Sequence, residues 1–413
     1  MAVAKKAPGS GFPLPPEPDL TPAEIIARAA DIATSLVARQ AETEKRTYYA
    51  EDTHEAFREA GFYRILVPRR YGGYEFGVET FVRVSMALTR GCPSTGWMFT
   101  LGAAHALLVA TVFGEQVQDE AFADGDFLCP ATVMPSGFAE PAEDGGWILN
   151  GTYNYCSGAP YASHFVGHAL IAVEGSDEPV PMLFIAPRES WTMLDDWGNQ
   201  LGLKGSGSHS IRFENAYLPA HRTLPTHMSM VSVADGTPGL ALHGNPMYAG
   251  GPLSLMLLES AVLAVGIARG ALDVYEDLMR DRTTLFPPIV GRAQDPDFQY
   301  WYGEAAGLHA TAEVALLGAF REWATMCDEG PAAFTHEREL RLGSIGREVV
   351  RLAWRCVEGF VMPTAGSSAI RNGERLERLW RDMSTLTSHA GISVFLNAIA
   401  NRDIAKAHFG VAE

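Results

Sequence analysis

The chain has 413 residues, 47% of them hydrophobic and 20% charged, with a formal net charge of −17. That composition describes a soluble globular protein with room for about two or three packing units. The acidic balance, with no basic tract to offset it, argues against nucleic acid or an anionic membrane as the main partner. The five cysteines (Cys92, Cys129, Cys156, Cys327 and Cys356) are odd in number and lack metal-ligand spacing. They fit a reducing cytosol, and no metal is expected.

In chain order, residues 1–19 carry two lysines and then Pro/Gly-rich sequence without the apolar core of a signal peptide, which reads as a flexible arm. Thr21-Pro22-Ala23-Glu24 is a helix start, and Ile25, Ile26, Ala29, Ile32, Leu36 and Val37 follow at helical spacing. Further helices are expected over 50–60, 78–89 and 94–113, the last carrying His105, so 20–126 forms an α-helical unit.

Residues 127–225 read as β. Phe127-Leu128-Cys129, Trp147-Ile148-Leu149, 165–173 and 181–186 are short apolar or alternating runs separated by Gly, Pro, Asn and Asp. Two turns stand out, Tyr155-Cys156-Ser157-Gly158 and Gly202-Leu203-Lys204-Gly205-Ser206-Gly207-Ser208. They either hold a flat polar ligand through backbone N–H groups and hydroxyls or are the ordinary turns of a sandwich domain. Residues 226–413 return to helix, with long patterns over 252–280, 298–327, 338–360 and 377–407 that read as a four-helix bundle. The most apolar stretch, 253–268, is interrupted by Glu259, is too short to span a bilayer and reads as a buried helix.

Helices, then a β-domain, then a bundle is an order that resembles the acyl-CoA dehydrogenase fold, an α+β architecture. The local motifs agree: Leu66-Val67-Pro68 with Tyr71-Gly72-Gly73, Trp147 to Gly151, Leu201-Gly202-Leu203-Lys204-Gly205-Ser206, Phe213 to Pro219, and Glu377-Arg378-Leu379-Trp380-Arg381-Asp382. The departures point to one branch. Thr387-Ser388-His389-Ala390-Gly391 stands where the dehydrogenases carry a tyrosine and their catalytic glutamate, and Pro130 to Gly137 replaces their flavin- and acyl-CoA-holding loop. Instead, Ser94-Thr95-Gly96-Trp97 with His105, Tyr155-Cys156-Ser157-Gly158, Trp197-Gly198 before the second glycine turn, and His389 are similar to the flavin-dependent monooxygenases that share this fold. Those enzymes are the oxygenase components of two-component systems.

The resemblance implies hydroxylation of an aromatic, phenolic small molecule through a C4a-hydroperoxyflavin. Reduced FMN or FAD, FMN slightly favoured, would come from a separate NAD(P)H-flavin reductase, with molecular oxygen as co-substrate, in a cytoplasmic homotetramer. It implies that Ser157 accepts the flavin N5–H bond and that His105 and His389 form an acid–base pair. Tyr155, placed on the same strand face as Ser157, would pack on the flavin. Thr132, Ser136, Gly205, Ser206, Ser208, Arg282, Gly366, Ser367 and Ser368 would complete the flavin site. Taken by themselves, Ser157 could satisfy its own turn and each histidine could be a core residue. His164 and His168 read as structural. The alternatives are N- or S-oxygenation on the same fold, an acyl-CoA dehydrogenase with a relocated base, and a catalytically silent scaffold.

Overall fold

The computed structural model describes residues 12–175 and 178–411. Residues 1–11 of the expected arm lie outside that range. The rest of the arm lies against the helices: the Arg70 guanidinium stands 5.2 Å over the Phe12 ring, and Glu17 pairs with Arg28 at 2.7 Å.

Thr21 starts helix α1 (Pro22–Arg46) through a reciprocal cap. Its hydroxyl accepts the Glu24 N–H while the Glu24 carboxylate accepts the Thr21 N–H. Helices α2 (Glu51–Glu59), α3 (Val78–Gly91), α4 (Pro93–Ala103), α5 (His105–Val112) and α6 (Glu115–Ala121) complete the first unit. The helix expected over 94–113 is thus α4 and α5, parted at Ala104 alone.

The sheet holds β1 (Gly137–Pro141), β2 (Trp147–Tyr153), β3 (His164–Ile171), β4 (Val180–Pro187), β5 (Thr192–Met193), β6 (Ile211–Leu218) and β7 (Thr223–Leu224) in the order β5-β6-β2-β1-β3-β4-β7. β1 and β3 run parallel and the other neighbours antiparallel. Tyr153, Phe165, Phe184 and Phe213 meet ring to ring at 5.1 to 5.9 Å and fill its core. Phe127, Leu128 and Cys129, expected as a strand, are instead an extended lead-in. The Cys129 N–H is taken by the Gly102 carbonyl of α4 at 2.7 Å, and Pro130 has no N–H with which to continue a ladder.

The last unit contains α7 (Pro238–His243), α8 (Pro252–Asp281), α9 (Pro296–Glu329) and α10 (His336–Trp354). α10 runs through a π segment, Arg355–Val361, into α11 (Met362–Ala365). α12 (Arg375–Thr387), a second π segment (Gly391–Ile399) and α13 (Ala400–Phe409) follow. α8 is the axis, packed on α3, α9, α10 and α12. Gly343 lets α10 close on it, because a β-carbon there would lie 2.6 Å from the Leu257 side chain. The helix expected over 252–280 is α8, and at 30 residues it is long enough to cross a bilayer, although its most apolar run, 253–268, is not. Packing decides its place: 83% of its most apolar window is buried inside the fold.

Candidate active site

The two glycine turns of the β-domain meet. The Gly158 N–H donates to the Gly207 carbonyl at 3.2 Å, and the Gly207 N–H donates to Thr47 at the end of α1 at 2.7 Å. Both glycines have positive φ, +94° and +58°, the region open to glycine at no steric cost. This contact aligns three buried hydroxyls: Ser157 Oγ lies 2.8 Å from Ser208 Oγ, which lies 2.7 Å from Ser206 Oγ. The Trp97 indole N–H, from α4, donates to Ser157 Oγ at 2.9 Å. Trp97 carried no role in the sequence reading, although it lies inside a motif quoted there. An indole gives no hint of its donor's target before the turns are folded.

Trp97 also meets His389, whose ring stands edge-to-face at 5.5 Å. The pattern over 377–407 reads as one helix, but α12 stops at Thr387 and His389 occupies the joint before the second π segment. His389 is exposed at this joint, and desolvation by the protein around it lowers its pKa from the ordinary 6.5. The Gly391 N–H donates to His389 Nδ1 at 3.2 Å, so the neutral ring carries its proton on Nε2. His105 has the other tautomer. Its Nδ1 bonds the Cys129 carbonyl at 2.6 Å; the carbonyl can only accept, so the lone pair is on Nε2. Burial pushes the His105 pKa down to about 4, which keeps the ring neutral. His105 opens α5 eight residues after Trp97, past the break at Ala104.

A buried carboxyl fixes the second glycine turn. Asp382 Oδ1 accepts the Leu203 N–H at 2.5 Å, where Leu203 has a left-handed φ of +53°. Arg381 donates to the Leu201 carbonyl at 2.9 Å and pairs with Glu44 of α1 at 2.9 Å. Desolvation raises the Asp382 pKa to about 7, with the Leu203 N–H working against that shift. The Arg381-Asp382 pair, read only as a family signature, is the anchor of the turn that carries Ser206 and Ser208.

The remaining candidates divide. Thr132 Oγ1 is buried and has no hydrogen-bond partner among the described residues. Ser136 is exposed, and its hydroxyl donates to its neighbour Met134 at 3.2 Å. The Gly205 N–H is committed to Ser94 Oγ at 3.2 Å, and a β-carbon there would come within 2.4 Å of Thr43. Tyr155 does not share a strand face with Ser157: β2 ends at Tyr153, and the chain turns through a left-handed Tyr155 at φ +61°. Ser157 is consequently buried, whereas Tyr155 is 65% exposed, edge-on to Trp197 at 5.7 Å. On the bundle, the Arg282 guanidinium donates to Ser368 Oγ at 2.7 Å beside Gly366 (φ +90°). Arg292, a residue the sequence reading passed over, stands 3.3 Å from where a Gly366 β-carbon would be. Gly366 and Ser367 help line a groove of about 310 Å³ there. Among the described residues this group shares no hydrogen bond with the serine row. His168 is structural as expected, its Nδ1 bonded to the Thr132 carbonyl and its Nε2 accepting the Met228 N–H.

Comparison with known proteins decides the lineage. Residues 23–124 match the model of the acyl-CoA dehydrogenase N-terminal domain, and 258–394 match that of the C-terminal domain. The chain is 30% identical to a pigment production hydroxylase of a Rhodococcus species over 91% of its own length and 94% of that protein's. It is 27% identical, over 89% and 90% respectively, to the oxygenase component of an FADH(2)-dependent resorcinol hydroxylase of a Rhizobium species. The chain belongs to the flavin-dependent monooxygenases of the acyl-CoA dehydrogenase fold. A solved 3-HSA hydroxylase from Rhodococcus sp. RHA1 superposes on this monooxygenase with a TM-score of 0.84 at 25% identity, covering 94% of this chain and 97% of the other. The site fits a flavin on its own chemistry. It offers the Ser157 hydroxyl at the junction of two turns, and the Thr132 hydroxyl is without a hydrogen-bond partner among the described residues.

Proposed function

We propose that this monooxygenase hydroxylates a phenolic small molecule, using reduced FMN or FAD delivered by a separate NAD(P)H-flavin reductase, in a cytoplasmic homotetramer. Bound reduced flavin supplies the electrons that activate molecular oxygen. The observation that carries the reading is the opposed tautomers of the two site histidines. His105 Nε2 offers a lone pair to a phenolic O–H, and His389 Nε2 offers a proton. A fully buried His105 held neutral orients and polarises the phenol rather than storing its proton. His389, with access to solvent, is the group that passes protons in and out. Ser157 accepts from the flavin N5–H, Thr132 and Tyr155 border the ring system, and Arg282, Gly366, Ser367 and Ser368 take a flavin phosphate. The exposed apolar tip Leu285, Phe286 and Ile289, next to Arg282 in the chain, supports assembly of copies.

The sequence contains no Gly-x-Gly-x-x-Gly strand–turn–helix for a nicotinamide cofactor, since the turn 202–208 lies within the β-domain. Purified protein with NADH, FMN and a panel of phenols is therefore expected to give no product, and adding a flavin reductase should restore turnover. Product formation with NADH and no reductase would refute the two-component reading.

A further inference from the structure

Two imidazoles hold the loop that carries Thr132. His168, buried in β3, receives the Met228 N–H on Nε2 at 2.9 Å, so its proton is on Nδ1, which donates to the Thr132 carbonyl at 3.1 Å. His227, half-buried, receives the Ser229 N–H on Nδ1 at 3.2 Å, so its proton is on Nε2, which donates to the Val133 carbonyl at 2.9 Å. The two rings stack at 4.3 Å with 19° between their planes. A stacked pair of opposite tautomers thus grips two consecutive carbonyls of the loop, and the Thr132 N–H is tied to the Val166 carbonyl at 3.1 Å. One residue beyond this grip, Met134 is 71% exposed.

We propose that His168 and His227 are positioning residues that set the 130–136 loop for the flavin, and that the pair holds the loop only while both rings are uncharged. The proposal rests on the reading that Thr132 borders the flavin. All four ring nitrogens are engaged as the neutral forms require. A proton added to His227 Nδ1 would face the Ser229 N–H, and one added to His168 Nε2 would face the Met228 N–H, donor against donor. A charge on one ring would also lie against the face of the other. Nothing around the pair is placed to offset it. Residues 130–136 carry no titratable group, and 223–231 carry His227 alone. β4 sets Leu183 opposite His168, β1 sets Gly137 and Phe138 beside Ala169 and Leu170, and α8, packed on 228–230, has Glu259 as its first charged residue. Burial holds His168 neutral, its pKa pushed down to about 4. His227, the more exposed ring, is where acid acts.

The test is the dissociation constant of oxidised FAD at about pH 7.5 and about pH 5.5, on either side of the ordinary histidine range. FAD is the probe because a phosphate monoester such as that of FMN itself titrates near pH 6. Wild type is expected to bind FAD roughly fivefold more weakly at the lower pH. His227→Gln, whose amide can still donate to the Val133 carbonyl but takes up no proton, should bind about equally at both. His227→Phe keeps a stacking face and neither hydrogen bond, and should bind weakly at both. Melting temperatures at each pH identify the folded variants. Wild-type binding that is alike at both pH values, or a pH dependence that survives in His227→Gln, would overturn the proposal. So would variants that melt earlier yet bind FAD as wild type does, since the pair would then serve stability alone. If Thr132→Val leaves FAD binding unchanged, the loop does not border the flavin, and the site reading beneath the proposal fails.

Discussion

Replacing His389 by alanine is expected to cut hydroxylated product per flavin oxidised by roughly 100-fold, the scale for losing a positioned acid or base. Flavin oxidation should continue, with hydrogen peroxide in place of product. Thermal stability should change little, because His389 stands at a helix joint with solvent access, and its hydrogen bonds among the described residues are local ones, to Leu386, Gly391, Ile392 and Ser393. His105→Ala should cause a similar loss of coupling with a different stability cost. That ring is buried and holds the Cys129 carbonyl, so its removal should destabilise the fold by about 1–3 kcal/mol. Measuring coupling and melting temperature together separates the two roles. If coupling is unchanged in both variants once the folded fraction is accounted for, neither histidine handles substrate.

The second large effect is expected at Asp382. Asp382→Ala should destabilise the protein by about 1–3 kcal/mol, because the Leu203 N–H loses its acceptor inside the protein, and flavin binding should weaken as the 201–208 turn loosens. Asp382→Asn retains an acceptor oxygen and gives a pH signature. The folded pKa of Asp382 is raised to about 7 from an ordinary 3.8. Its contribution to stability is therefore complete below the unfolded value and is lost as pH rises through about 7. Wild type should lose ground to Asp382→Asn steadily between these limits and then level off. Melting curves across that range decide it, and a difference independent of pH would mean that Asp382 is ionised throughout.

Local rules made the scaffold legible. The Thr21 and Glu24 side chains specify their reciprocal cap in four residues, and the alternating runs around Leu149 and Phe165 became strands whose inward faces bury rings. The misses have tertiary causes. Phe127 to Cys129 has strand composition, yet its hydrogen-bond partner is a helix backbone. Tyr155 and Ser157 have the spacing of one strand face, but the left-handed turn after Tyr153 sends one out and the other in. Both site histidines were singled out from their motifs. Their tautomers were not legible, because these are set by Cys129 and Gly391 through backbone geometry. Trp97, Asp382 and Arg292 act on partners distant in sequence, at Ser157, Leu203 and Ala365, which no local pattern specifies.

The most direct measurement needs no knowledge of the substrate. Reduced FMN or FAD, bound to excess protein, is mixed rapidly with oxygenated buffer, and the visible absorbance of oxidised flavin is followed beside a protein-free control. A site that shields reduced flavin while oxygen reacts should delay the return of that absorbance and the release of hydrogen peroxide, and Ser157→Ala should shorten the delay. Reoxidation as fast as in free solution for both flavins would contradict the assignment of this site to oxygen transfer.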